Sequence, residues 1–135
     1  MLGAGGGALA PLLVPFKLGG GGPWGSGRQW WSWIHVADWV GLVLRALDAK
    51  ADGAINLVAP EPVTVNDFAK ALGTALHRPA VLRVPALVLR LALGQAAAAL
   101  LDSQRVYPRR TLDLGYQFRF PSIAAALADI IRATR

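Results

Sequence analysis

Cysteine is absent from these 135 residues, histidine occurs twice and methionine once. No disulfide can form, no thiolate can hold a metal, and two lone histidines do not supply a zinc site. Charge is sparse, at 16% of residues against 54% apolar, so there is ample side-chain surface to bury and too little charge to keep the chain disordered. A long apolar run is also missing. Residues 1–16 are uncharged but broken by Gly3, Gly5, Gly6, Gly7, Pro11 and Pro15, and residues 91–101 lie between Arg90 and Asp102 and contain Gly94 and Gln95. Neither reaches the roughly 18 residues a membrane-spanning helix needs, and no basic segment precedes the first as in a signal peptide. The expectation is a soluble, cytoplasmic protein with no membrane partner. Paired carboxylates for acid–base work are lacking too, since the eight acidic residues are scattered, and no nucleophile lies beside an oriented base.

What is present fits one ordinary domain in length. Fourteen Lys and Arg against eight Asp and Glu give a net charge of +6. The basic residues are spread along the chain, and only Arg105, Arg109 and Arg110 cluster. Nucleic acid is therefore not the expected partner, because no recognised motif accompanies the charge; a solvated, arginine-rich surface is the plainer reading.

Apolar spacing predicts a short helix from Ala8 to Phe16, strained by Pro11 and Pro15. Residues 19–27, rich in glycine, read as a loop. Trp30–Val36 reads as a strand, Asp38 as the cap of a helix whose buried face would be Trp39, Val40, Val43, Leu44 and Leu47, and Ala54–Ala59 as a second buried strand. Strand, helix, turn and strand make a βαβ spacing. Thr64–Asp67 resembles a capping box opening a helix that buries Val65, Phe68, Ala69, Leu72 and Leu76. A third strand is predicted at Ala80–Val84, then a Pro85-initiated helix carrying Leu87, Val88, Leu91 and Ala92, helical material at Gln95–Asp102, and a short helix from Pro108 to Gly115. A last helix, capped by Ser122, turns Ile123, Ala126, Leu127, Ile130 and Ile131 inward.

Two segments have dinucleotide-loop spacing, Gly3-x-Gly5-x-x-Ala8 and Gly20-x-Gly22-x-x-Gly25. A pyrophosphate loop needs a strand before it and a helix N-terminus after it. Neither segment has that context, so both read as plain flexible loop. The most informative cluster is Arg28-Gln29-Trp30-Trp31-Ser32-Trp33. Arg pairs with phosphate, Gln hydrogen-bonds and indole stacks, so this lip of a strand could cradle an anionic, ring-bearing ligand. In a strand Trp31 and Trp33 share one face and Trp30 and Ser32 the other, so one set faces the core. His35, between Ile34 and Val36, reads more readily as a hydrogen-bonded core histidine than as a general base.

The stretch from Gly6 to Val40, with WIHVAD at 33–38, resembles epimerase-type extended short-chain dehydrogenases/reductases, in which a G-x-G loop leads into [FWY]-[IV]-H-V-x-D and a helix. Residues 56–85 (NLVAPEPVTVNDFAKALGTALHRPAVLRVP) and 101–131 (LDSQRVYPRRTLDLGYQFRFPSIAAALADII) resemble the C-terminal domain of the nucleoside-diphosphate-sugar epimerase-like subgroup. The resemblance implies an α/β fold: the C-terminal part of a Rossmann-like NAD(P)-binding fold over residues 1–59, then a mostly helical C-terminal subdomain over 60–135. It implies NAD or NADP in the complete protein, a small-molecule substrate, and a complementing chain or a homo-oligomer to cover the incomplete fold. The family's nucleotide-binding glycine loop and its catalytic Tyr-x-x-x-Lys have no counterpart here: Tyr107 and Tyr116 are followed four positions on by Thr111 and Phe120. In nucleotide-sugar epimerases an Arg before the aromatic strand contacts the substrate diphosphate; that position is Trp31, leaving Arg28 to supply the charge. The expected substrate-side residues are Arg28, Gln29, Trp31 and His35, with no catalytic group and no metal ligand. A stand-alone basic module for nucleic acid or an acidic partner is the alternative.

Overall fold

The structure, a computed structural model, describes residues 1–4, 6–7 and 9–134. Its elements in chain order are β1 (Leu2–Gly3), β2 (Gly6–Gly7), α1 (Ala10–Lys17), β3 (Trp30–Trp31), α2 (Val36–Asp48), β4 (Val63–Thr64), α3 (Val65–Leu76), α4 (Ala86–Leu93), a 3-10 turn (Gly94–Ala96), α5 (Ala97–Leu101), α6 (Arg109–Asp113) and α7 (Ile123–Ala133). The fold is mixed helix and strand. β1 pairs antiparallel with β2, and β3 with β4, with Trp30 opposite Thr64 and Trp31 opposite Val63.

The helices α2, α3 and α7 begin where a side chain satisfies a free N–H group. Thr64 Oγ1 accepts the Asp67 N–H at 3.2 Å, the first leg of the predicted capping box over α3, and donates to Asp67 Oδ2 at 2.6 Å. That helix ends at His77, which adopts the left-handed conformation (φ 54°). Ser122 caps α7 through the Ala125 N–H. α3 and α7 pack on each other, and Val65, Phe68, Ala69 and Leu72 meet Ala126, Leu127 and Ile130 in one core. Leu2, Leu9, Phe16, Trp24 and Trp33 belong to the same core, so residues on both sides of Ala59 share it.

The predicted strands are largely unformed. Of Trp30–Val36 only Trp30 and Trp31 form a strand; His35 makes an isolated parallel bridge with Leu2, and Val36 already begins α2. Residues 54–59 run beside Trp33 through the Ala59 N–H, which donates to the Trp33 carbonyl at 2.7 Å. Residues 80–84 bond to the glycine loop through Leu82 and Val84, with a single bridge between Val84 and Trp24. A strand requires a hydrogen-bonded neighbour along its length, and here each neighbour is matched for only one or two residues.

Two helix faces also differ from the periodicity. On α2 the buried residues are Asp38 and Leu42, whereas Trp39, Val40, Leu44 and Leu47 are exposed, Leu47 by 69%. On α4, Leu87, Val88 and Leu91 face outward, and the side chain of Ala92 lies outside the described residues. Periodicity finds an apolar stripe; it does not say that this chain covers it.

Candidate functional site

The glycine segment that precedes the aromatic strand is closely packed, which corrects the expectation of a flexible loop. A Cβ on Gly22 would run into the Leu82 backbone, and one on Gly27 (φ 73°) into the Asn66 side chain. Several of its N–H groups are engaged internally: Gly20 N–H with the Pro15 carbonyl, Gly25 with Val84 and Gly27 with Trp24. The segment leads into β3 instead of a helix, so those donors do not fit a pyrophosphate. Gly5 and Ala8 of the first glycine motif lie outside the described residues.

This loop sets the four expected substrate-side residues in four different surroundings. Gln29 is buried; its Nε2 donates to the Trp24 carbonyl at 3.0 Å and its Oε1 accepts from Ser26 Oγ at 2.8 Å. Both ends of the amide are therefore used to close the loop. Arg28 is exposed. Trp31 stacks edge-on against Phe68 (ring centroids 4.4 Å apart) and Trp24 (5.7 Å), so its ring belongs with the core. Trp33 is buried on the same side, its Nε1 donating to the Glu61 carbonyl, as strand alternation requires.

Trp30 lies on the open side. Its N–H donates to Ser103 Oγ, its carbonyl accepts from the Gln104 N–H, and the Arg105 guanidinium sits 4.4 Å from its ring centroid. That is within cation–π range. Ser32 Oγ donates to the Gln104 carbonyl and accepts from the Val106 N–H, pinning residues 104–106 alongside the strand. Trp30, Trp31, Ser32, Asp102 and Gln104 line a cleft of about 210 Å³. It carries indole edges, one carboxylate and amide and hydroxyl groups, with Arg105 stacked at its margin. Asp102, Gln104 and Arg105 lie some 70 residues after the aromatic cluster, and no local spacing in the sequence links the two. A larger cleft of about 440 Å³, lined by Lys70, Thr74, His77 and Arg78 among others, lies along the C-terminal half of α3.

His35 is the N-cap of α2: its Nδ1 accepts the Ala37 N–H at 3.1 Å. Asp38, read from the sequence as the cap, is instead a fully buried carboxylate within the first turn. Its Oδ1 accepts from the Tyr116 hydroxyl (3.1 Å) and the Arg119 N–H (2.8 Å), and its Oδ2 from the Phe120 N–H (2.9 Å). His35 stacks on Phe120 at 4.0 Å, and its Nε2, buried and without a hydrogen bond, lies 3.4 Å from Asp129 Oδ2. Burial holds the His35 pKa below its ordinary value, against the opposing pull of Asp129 and Asp38. Burial, with the hydrogen bond to Asp38, pushes the Tyr116 hydroxyl up to about 12. His35, three residues before Asp38, thus helps tie α2 to residues 116–120 and α7. The spacing H-V-x-D was the one sequence signal for this network. Among the described residues no group of three His, Asp or Glu side chains converges on a metal position.

Comparison with known proteins gives this geometry a context. Residues 84–130 match a family described as a domain of unknown function, DUF1731. The epimerase family protein SDR39U1 of Mus musculus is 51% identical over 133 residues, 97% of this chain and 45% of that protein. A chloroplastic homologue from Arabidopsis thaliana is 42% identical over 98% of this chain and 38% of its own length. The crystal structure of human SDR39U1 (isoform 2) with NADPH superposes with a TM-score of 0.93 at 46% identity, covering 97% of this chain and 45% of that one. A nucleoside-diphosphate sugar epimerase from Corynebacterium glutamicum gives a TM-score of 0.67 at 34% identity over 96% of this chain and 24% of its own. The chain thus spans under half the length of the relatives it matches. By sequence and by fold, it corresponds to the C-terminal part of an epimerase-type protein of the family that SDR39U1 represents.

Proposed function

We propose that this chain forms the substrate-side part of an NAD(P)-dependent epimerase-type oxidoreductase whose cofactor site and proton-transfer groups lie in the remainder of the protein. One observation carries the reading: nearly the whole chain superposes on a structure solved with NADPH, at 46% identity. The Gly20–Gly25 segment leads into β3 and does not fit a pyrophosphate, and the cofactor is assigned to the complete protein. Residues 1–59 are then the end of its Rossmann-like domain, and residues 60–135 its helical subdomain.

The small-molecule substrate is assigned to the cleft beside Trp30. Arg105, stacked on the Trp30 ring, supplies positive charge for an anionic group, and exposed Arg28, two residues before Trp30 in the chain, is assigned the same role. Ser32, Asp102 and Gln104 supply acceptors and donors for hydroxyls. Gln29, Trp31 and His35 act through position: Gln29 closes the loop, Trp31 backs the cleft wall and His35 starts the helix behind it. Among the described residues no helix is long and apolar enough to cross a membrane, and a cytoplasmic location belongs to this proposal.

The test is a single-chain fusion of the N-terminal portion of mouse SDR39U1 to this chain. Uridine and thymidine diphosphate sugars are titrated into it while tryptophan fluorescence is followed. Saturable quenching that weakens at least tenfold in Arg105→Ala supports the assignment. Quenching unaffected by Arg105→Ala and Arg28→Ala would move the substrate elsewhere.

A further inference from the structure

Between Asp67 and Asp102 the chain carries no acidic residue, while Lys70, His77, Arg78, Arg83 and Arg90 all fall within that stretch. The fold brings three of these cations together. Lys70 and Thr74, four residues apart, share a face of α3, and the turn at His77 (φ 54°) brings Arg78, Ala80 and Val81 back to line the same cleft. Gly73 permits that return: a Cβ there would lie 2.8 Å from both the Ala80 Cβ and the Arg78 carbonyl oxygen. The Arg78 N–H closes the turn by donating to the Gly73 carbonyl at 2.9 Å. The cleft so formed, of about 440 Å³, falls in the range of about 300–1,000 Å³ that small-molecule sites occupy. It shares no lining residue with the cleft beside Trp30.

Its lining contains cations and apolar groups and no carboxylate. Lys70, Thr74, His77 and Arg78 are exposed. Among the described residues both ion pairs go to Asp129, so neither Lys70 nor Arg78 has an acidic partner. Arg78 also lines an adjoining groove with Lys17 and Thr134, which extends the positive surface. Carbonyl oxygens near a helix C-terminus repel an anion, and here they are engaged at three places. The Lys70 carbonyl accepts the Thr74 hydroxyl at 3.0 Å, the Gly73 carbonyl the Arg78 N–H and the Thr74 carbonyl the His77 N–H at 3.1 Å. A guanidinium offers paired N–H donors to phosphate oxygens and an ammonium adds a mobile point charge. Ala80 and Val81, the latter 75% exposed, supply an apolar surface for the carbon part of a ligand.

We propose that this cleft is a second binding site, for a small phosphorylated molecule, in which Lys70, His77 and Arg78 hold the phosphate and Val81 meets the group attached to it. The site stands apart from the substrate cleft and does not depend on the functional reading above.

The experiment titrates the full chain with inorganic pyrophosphate and, separately, with adenosine diphosphate by calorimetry at about 0.15 M salt, where diffuse surface attraction is screened. Saturable binding at one site is expected, weakened at least tenfold by Lys70→Gln with Arg78→Gln. Thr74→Phe, which fills the cleft without changing charge, weakens it as well. Arg78→Lys keeps the charge without the paired donors and gives an intermediate loss. Lys50→Gln with Arg90→Gln removes the same charge outside the cleft and leaves binding unchanged. Circular dichroism checks that each variant is folded. Tighter binding of adenosine diphosphate identifies a nucleotide-like ligand that uses Val81, and tighter binding of pyrophosphate identifies an inorganic one. No saturable binding of either probe, or an equal loss from the Lys50 and Arg90 pair, overturns the proposal. Binding lost in Arg105→Ala but retained without Lys70 and Arg78 places the phosphate beside Trp30; the proposal then falls and the functional reading stands.

Discussion

Asp38 is fully buried and accepts three hydrogen bonds, from Tyr116, Arg119 and Phe120. Removing the carboxylate leaves those part-buried donors without their partner, at about 1–3 kcal/mol each for the ones that water does not reach. Asp38→Ala is therefore expected to lower unfolding free energy by about 3 kcal/mol or more in urea titration, and Tyr116→Phe by about 1–2 kcal/mol. His35 makes a prediction in pH. Its Nδ1 must be unprotonated to accept the Ala37 N–H, and burial holds its pKa below the ordinary 6.5. The unfolded chain takes the proton more readily than the folded one, so this contribution is present above pH 6.5 and declines as pH falls through that value toward the folded pKa. Thermal unfolding between pH 8 and 5 should show Tm falling on the acid side, with a shallower fall in His35→Asn. A Tm independent of pH over that range would contradict the assignment. At this scale the sequence was half legible. Alternation correctly sets Trp31 and Trp33 on one side and Trp30 on the other, but not which side is the core: Trp31, expected on the substrate side, packs on Phe68 and Trp24, Gln29 turns inward to close its loop, and Asp38 leaves its expected capping role to His35.

Among the elements, those whose ends are written in local chemistry were legible. Thr64 and Ser122 cap α3 and α7, and the apolar faces of both helices meet in the core. Thr64→Ala should cost about 1 kcal/mol and Thr64→Ser much less, measurable by chemical denaturation. The strands were not legible, because pairing depends on neighbours far along the chain that spacing does not reveal. Nor was the orientation of α2, where the stripe predicted to be buried is open and Leu42 is enclosed instead. This gives a contrast within one helix. Leu42→Ala should cost about 2–5 kcal/mol, while Leu44→Ser in the isolated chain should stay within about 0.5 kcal/mol. Equal losses at the two positions would mean that the outer stripe is covered within the chain itself.

The molecule as a whole reads as one wall of a larger body. Its core is continuous from Leu2 to Ile131, its best-furnished cleft lies beside Trp30, and its most regular apolar surface faces outward on α2. The family resemblance was legible in WIHVAD and in the two later segments, and the superposition with the NADPH-bound human structure agrees with it. The cleft was only partly legible, because residues 102–105 join Trp30 through tertiary contacts. The most direct measurement is an NADPH fluorescence titration of the isolated chain beside the single-chain fusion to the N-terminal portion of mouse SDR39U1. The account predicts saturable binding by the fusion and none by the chain alone. Binding by the isolated chain with the affinity of the fusion would contradict it.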